Sequence, residues 1–204
     1  MAGRASLSSS LWRFDRSDRW GLTALLVLVA AAAALAGVVG PVLDWVGGEP
    51  LAVGTVGPVV VPTLDAVGTR YGDGEYDVLL TGAGAGERLL DLLPGVALTV
   101  LVAVGCLLVQ RLMRGVAGGD AFDPRNVSRL RGLALLLALG VPVVWFARVT
   151  TDLALLSGAD LGAGGPGALV EVPWLPMLGG MVLALVAEAF RVGTQLRDDV
   201  EGLV

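Results

Sequence analysis

The sequence predicts an all-α membrane protein, with four transmembrane helices and a small, β-rich outer loop. Three observations predict it. First, 55% of the 204 residues are apolar and only 16% are charged, whereas a soluble domain carries about a quarter charged residues. Second, the apolar residues fall in four long blocks, the pattern of helices that have lipid for a solvent. Third, arginine is plentiful in alternate gaps between the blocks and sparse in the others, as expected when an even number of spans is threaded through a bilayer. The chain reads as a single domain over 1–204. Its spans lie near 21–43, 92–112, 132–156 and 172–192, with an outer loop at 47–91 and a cytoplasmic loop at 113–131.

Gly21 to Leu43 is 23 residues without a charge, enough to cross a hydrocarbon core of roughly 30 Å as a helix. Ala34-Leu35-Ala36 resembles a signal-peptidase site, but apolarity continues to Val46. The block is too long for the apolar region of a signal peptide and reads as a retained span. Leu92 to Gln110 is 19 uncharged residues between Asp91 and Arg111. The third block starts at Gly132 and meets Arg148 and Asp152; the fourth starts at Val172 and meets Glu188. Both reach full length only if those ionisable residues sit at headgroup depth. Trp20, Trp45 and Trp174 mark span ends, where interfacial aromatics belong.

Arginine counting sets the orientation. The N-terminal tail, the 111–131 loop and the C-terminal segment hold 11 of the 14 arginines, and the other two connections hold only Arg70 and Arg88. The positive-inside rule therefore predicts that both termini and the 111–131 loop are cytoplasmic.

In the outer loop, Leu51–Val56, Pro58–Leu64 and Tyr76–Leu80 read as short strands broken by Gly and Pro. Asp73-Gly74-Glu75-Tyr76-Asp77 alternates carboxylates as a calcium loop does, but lacks the required Gly at position six and Glu at twelve, so no metal is expected. Gly82-Ala83-Gly84-Ala85-Gly86 has neither phosphate-loop spacing and reads as a flexible linker, as does the Gly-rich stretch 157–171. In the cytoplasmic loop, Asp123 is placed to cap a helix and Pro124 to occupy its first position. Arg125 and Arg129 then share a face, suited to lipid phosphates or an acidic partner. The fourth helix runs past the bilayer with Ala189, Val192, Leu196, Val200 and Leu203 on one stripe.

Charge and side-chain chemistry exclude several functions. The chain has no His and one Cys, Cys106, which reads as packing. That leaves no disulfide framework and no usual zinc, haem or thiol-catalytic site, so no cofactor is expected. A net charge of −5 argues against direct nucleic-acid binding. Arg148 and Asp152, four apart on the third helix, predict an ion pair beside a kink at Pro142. Glu188 and Arg191 predict a second pair. Ala33, Ala36, Gly37 and Gly40, with Gly180 and Ala184, allow close helix contacts within a bundle or a homo-oligomer.

Two segments carry a family resemblance. One is Gly119-Asp120-Ala121-Phe122-Asp123-Pro124-Arg125-Asn126 with the Arg129-Leu130-Arg131 that follows. The other is Glu188-Ala189-Phe190-Arg191-Val192-Gly193 with Leu196 and Asp199. Together they resemble the uncharacterised four-helix bacterial membrane proteins of the DUF2975 family. This chain departs from that pattern in its longer, Gly-rich outer loops. The resemblance implies a bacterial plasma-membrane location and a cytoplasmic partner, a helix-turn-helix regulator or another membrane subunit. It supplies no catalytic residues. The resulting expectation is a non-enzymatic, regulatory or scaffolding membrane protein in contact with lipid. Its partner face would comprise Asp123, Asn126, Arg129, Phe190, Arg191 and Leu196. The alternative is a small transporter or channel component using Arg148, Asp152 and Glu188.

Overall fold

The computed structural model describes residues 16–58, 73–117, 123–159 and 166–201. Within them are four helical rods long and apolar enough to cross a membrane, Arg19–Gly47, Ala85–Ala117, Pro124–Gly158 and Trp174–Gln195. The first comprises α1 (Arg16–Ala34) and α2 (Gly40–Gly47), the second α3 (Ala85–Ala117). The third comprises α4 (Pro124–Leu135) and α5 (Val141–Gly158), and α6 (Trp174–Glu201) contains the fourth. Each rod packs on the next in chain order, α1 on α3, α3 on α4 and α5, and α6 along α4. Large apolar side chains such as Leu28, Val100 and Leu185 point outward, as they must when lipid is the solvent.

Two rods carry a wide π turn, at Leu35–Val39 between α1 and α2 and at Leu136–Gly140 between α4 and α5. Each is followed by a proline, Pro41 and Pro142. Proline has no N–H to donate, and its ring collides with the carbonyl four residues back. Widening the turn relieves that collision, and a π turn stands ahead of Pro142, where the sequence predicts a kink. The residues four back are Gly37 and Ala138. Both are points of closest approach to a neighbouring helix. A Cβ on Gly37 would lie 2.7 Å from the Gly95 carbonyl oxygen, and one on Gly180 would lie 2.6 Å from the Ala138 nitrogen. At the first contact the Thr99 hydroxyl donates to the Ala33 carbonyl of the other rod (3.2 Å).

Three strands cap one end of the bundle: β1 (Leu51–Pro58), β2 (Asp73–Leu80) and β3 (Gly167–Ala168), in the order β2-β1-β3. β1 is antiparallel to both neighbours, with Leu51 opposite Leu80 and Thr55 opposite Ala168. Leu51, Val53 and Thr55 alternate inward along β1, the two-residue period of a half-buried strand. Leu51, Val53 and Ala168 pack on Leu155 and Leu156 at the end of α5, forming a small dry core.

The strands expected at Leu51–Val56 and Tyr76–Leu80 are present and longer, while the stretch after Pro58 lies outside the described residues. The third strand instead comes from the 157–171 connector, where Gly167 and Ala168 pair with β1. The Asp73–Asp77 run is part of β2. The 82–86 stretch, expected as a linker, is a short turn at Gly82 that leads into α3 at Ala85. Gly82 takes φ 87°, and the Glu87 carboxylate accepts from the Gly84 N–H (2.7 Å) to start α3.

The glycine contacts make a contrast measurable. Gly180 is in close contact, whereas a Cβ added to its neighbour Gly179 would meet nothing within 4 Å. We expect Gly180→Leu to lower unfolding stability by about 1–3 kcal/mol through overpacking. Gly179→Leu should leave it almost unchanged, as read by denaturant melts in detergent.

Candidate functional site

Two charge systems stand at opposite ends of the bundle. At the sheet end, Arg148 on α5 lies between two carboxylates. Its Nε donates to Asp152 (3.1 Å), one helical turn on, and its Nη1 donates to Asp91 at the start of α3 (3.0 Å). Both carboxylates are buried, while the Arg148 side chain is 43% exposed. The second oxygen of Asp152 is buried without a hydrogen-bond partner among the described residues. The cluster thus combines two carboxylates with one guanidinium in a poorly solvated place. The i,i+4 spacing predicted the Arg148–Asp152 half. Asp91 went unrecognised because it read as the residue bounding a span, although an acid at the sheet end of one helix is a natural partner for an arginine at the same depth on another.

Arg148 and Asp91 also line a cavity of about 270 Å³ beneath the sheet, together with Asp44, Arg88 and the start of β1. Arg88 is engaged elsewhere, donating to the Glu49 carbonyl (2.6 Å) and holding α3 against the link between α2 and β1. The cavity therefore presents both signs of charge.

At the other end, α4 begins as its sequence predicts. Pro124 is its first residue, and the Asp123 carboxylate accepts from the Arg125 N–H (2.7 Å). Asn126 is buried and accepts from Arg129 Nη1 (2.9 Å). The same nitrogen donates to the Arg111 carbonyl on α3 (2.9 Å). A side chain at position 115 would overlap the Asn126 carboxamide, so Gly115 is what lets Asn126 sit against α3. Asp123, Asn126 and Arg129 thus cap α4 and fasten it to α3.

A second layer joins α4 to α6. Glu188 accepts from Arg131 (2.9 Å) and from Arg191 one turn on (2.9 Å to Nε). Arg191 also donates to Gln195 (3.1 Å). These side chains are roughly half exposed, as an outward-facing polar ridge would be. Phe190 is half-buried beside them, and the side chain of Leu196 lies outside the described residues. The sequence paired Glu188 with Arg191 and missed Arg131. Its charge was absorbed into the general positive-inside signal, and only packing of α4 on α6 brings it within reach.

The segments that carry the family resemblance therefore meet in one ion triad. A family model described as "protein of unknown function (DUF2975)" matches residues 81–204. The chain belongs to the DUF2975 family. Within this DUF2975 protein the match spans α3 to the C-terminus, taking in both charge systems while leaving out α1, α2, β1 and β2. No curated protein and no solved structure matches the chain.

The sheet-end cluster has an asymmetric response to substitution. Arg148→Ala leaves two buried carboxylates facing each other without a cation. We expect it to cost about 1–3 kcal/mol, below the range for a fully buried pair because the guanidinium is partly exposed. Asp152→Asn leaves a one-to-one pair with Asp91 and should cost less than Arg148→Ala. Unfolding midpoints of the two variants, compared in one detergent, check the order.

Proposed function

We propose that this chain is a non-enzymatic, multi-pass plasma-membrane protein with both termini cytoplasmic. In this reading it acts as a regulator or scaffold that docks a cytoplasmic or membrane protein on the Arg131–Glu188–Arg191 ridge. The observation that carries the reading is that ridge itself. Residues 57 apart in sequence meet there in a half-exposed ion network, and α6 continues beyond its apolar span to Glu201. A helix-turn-helix regulator or a membrane subunit is the partner class that the family resemblance implies.

In this reading the expected partner face divides by role. Arg191 and Phe190 stand on α6 at the ridge, where a partner would touch them. Asp123, Asn126 and Arg129 act one step back, by holding α4 so that Arg131 reaches Glu188. Exposed ion pairs contribute little to stability, typically below about 1 kcal/mol, so their loss should alter binding without unfolding the bundle.

A second reading is favoured by one observation, the Arg148 cluster lining the cavity beneath the sheet. It makes the chain a component of a small transporter or channel, and predicts substrate flux into liposomes that Arg148→Ala abolishes.

Orientation and docking are tested separately. With Cys106 replaced by Ser, a cysteine at position 86 should react with an impermeant maleimide in intact cells. One at position 117 should react only after permeabilisation; the reverse pattern would overturn the cytoplasmic assignment. In crosslinked pull-downs from native membranes, an Arg131→Ala/Arg191→Ala variant should lose a protein that wild type captures. Equal capture by both would remove the ridge from consideration.

A further inference from the structure

At the end opposite the sheet, α1 and α3 part to leave a groove of about 580 Å³, lined by Arg19, Trp20, Thr23, Gln110, Met113 and Arg114. Its depth follows from the uncharged blocks of the two helices, one of which starts at Gly21, just after Arg19, and the other of which ends at Gln110, just before Arg111. The groove therefore lies where the hydrocarbon gives way to headgroups. Trp20 is 76% exposed there, the position an indole takes at a membrane interface.

The charge of the groove is one-sided. Among the described residues, its lining holds two guanidiniums and no carboxylate. Arg131, Arg148 and Arg191 are all committed to ion pairs, whereas among the described residues Arg19 and Arg114 form none. The Thr23 hydroxyl donates to the Arg19 carbonyl (2.7 Å), leaving the Gln110 amide and the Trp20 indole N–H as neutral side-chain donors in the described lining. The planar guanidinium fork can donate two parallel N–H bonds to two oxygens of a tetrahedral phosphate. The described lining offers no anion to receive an ammonium group, unlike the cavity beneath the sheet.

The surface deeper in the bilayer is apolar and open. Val27 lies one turn from Thr23 on the same face of α1, and Leu107 lies one turn from Gln110 on α3. They are 64% and 52% exposed. Acyl chains attached to a phosphate held at the groove would run along these side chains.

We propose that the groove between α1 and α3 is a binding site for the headgroup of an anionic phospholipid, with Arg19 and Arg114 holding the phosphodiester. The site selects against zwitterionic headgroups, because nothing in its described lining balances their ammonium. This inference does not depend on the docking ridge on α6.

Native mass spectrometry of the full, delipidated chain in detergent tests it, since adduct mass separates a lipid from free phosphate. The protein is titrated with phosphatidylglycerol, with phosphatidylcholine and with inorganic phosphate. Basic residues near a charged membrane surface predict a preference for phosphatidylglycerol over phosphatidylcholine on the order of ten-fold. Arg19→Gln/Arg114→Gln should abolish that preference, and Arg19→Lys/Arg114→Lys should retain most of it, which separates loss of charge from loss of fold. Equal affinity for the two lipids in wild type would overturn the proposal. So would a preference that survives the glutamine substitutions, or inorganic phosphate displacing phosphatidylglycerol, which would make this a site for the free ion.

Discussion

Helices immersed in lipid gain little from hiding apolar side chains against one another, because the lipid is equally apolar. Close backbone approach and polar contacts between rods must do that work. In this chain the constraint is met where a wide turn ahead of a proline lies against a residue with almost no side chain. Gly37 meets Gly95, and Ala138 meets Gly180. These two contacts bring the first rod onto the second and the third onto the fourth. The remaining polar ties depend on them: Thr99 reaches the Ala33 carbonyl only because Gly37 and Gly95 are so close, and Arg131 reaches Glu188 only because α4 lies along α6.

The two ends of the bundle use charge differently. At the sheet end it is inward and shared: Arg148 crosses between α3 and α5 beneath a small dry core of Leu51, Val53 and Leu155. At the opposite end it is layered. Arg129 is turned inward onto Asn126 and the Arg111 carbonyl, the Arg131–Glu188–Arg191 ridge is half exposed, and Arg19 and Arg114 border an open groove. Counting basic residues merges these three uses into one positive-inside signal. The fold separates arginines that fasten the bundle from those left half exposed or bordering the groove.

The legible part of the site was local. Asp123 before Pro124 announced a capped helix start, and Arg148 with Asp152 announced an ion pair, because caps and i,i+4 pairs depend only on neighbours in the chain. Asp91 and Arg131 were not legible as partners. Each completes its cluster from a different rod, at a depth and rotation that helix packing selects. Gly115 likewise gave no hint that it makes room for the Asn126 carboxamide.

The same division holds for the architecture. Four spans and strands in the loop after the first span follow from composition and periodicity, since the solvent each residue prefers is a property of that residue. The β3 pairing at Gly167–Ala168, the π turns ahead of Pro41 and Pro142 and the meeting of Arg131 with Glu188 do not follow from them. They required the folded chain, because backbone pairing between distant segments and the rotation of one helix against another are decided by mutual fit, which no single segment contains.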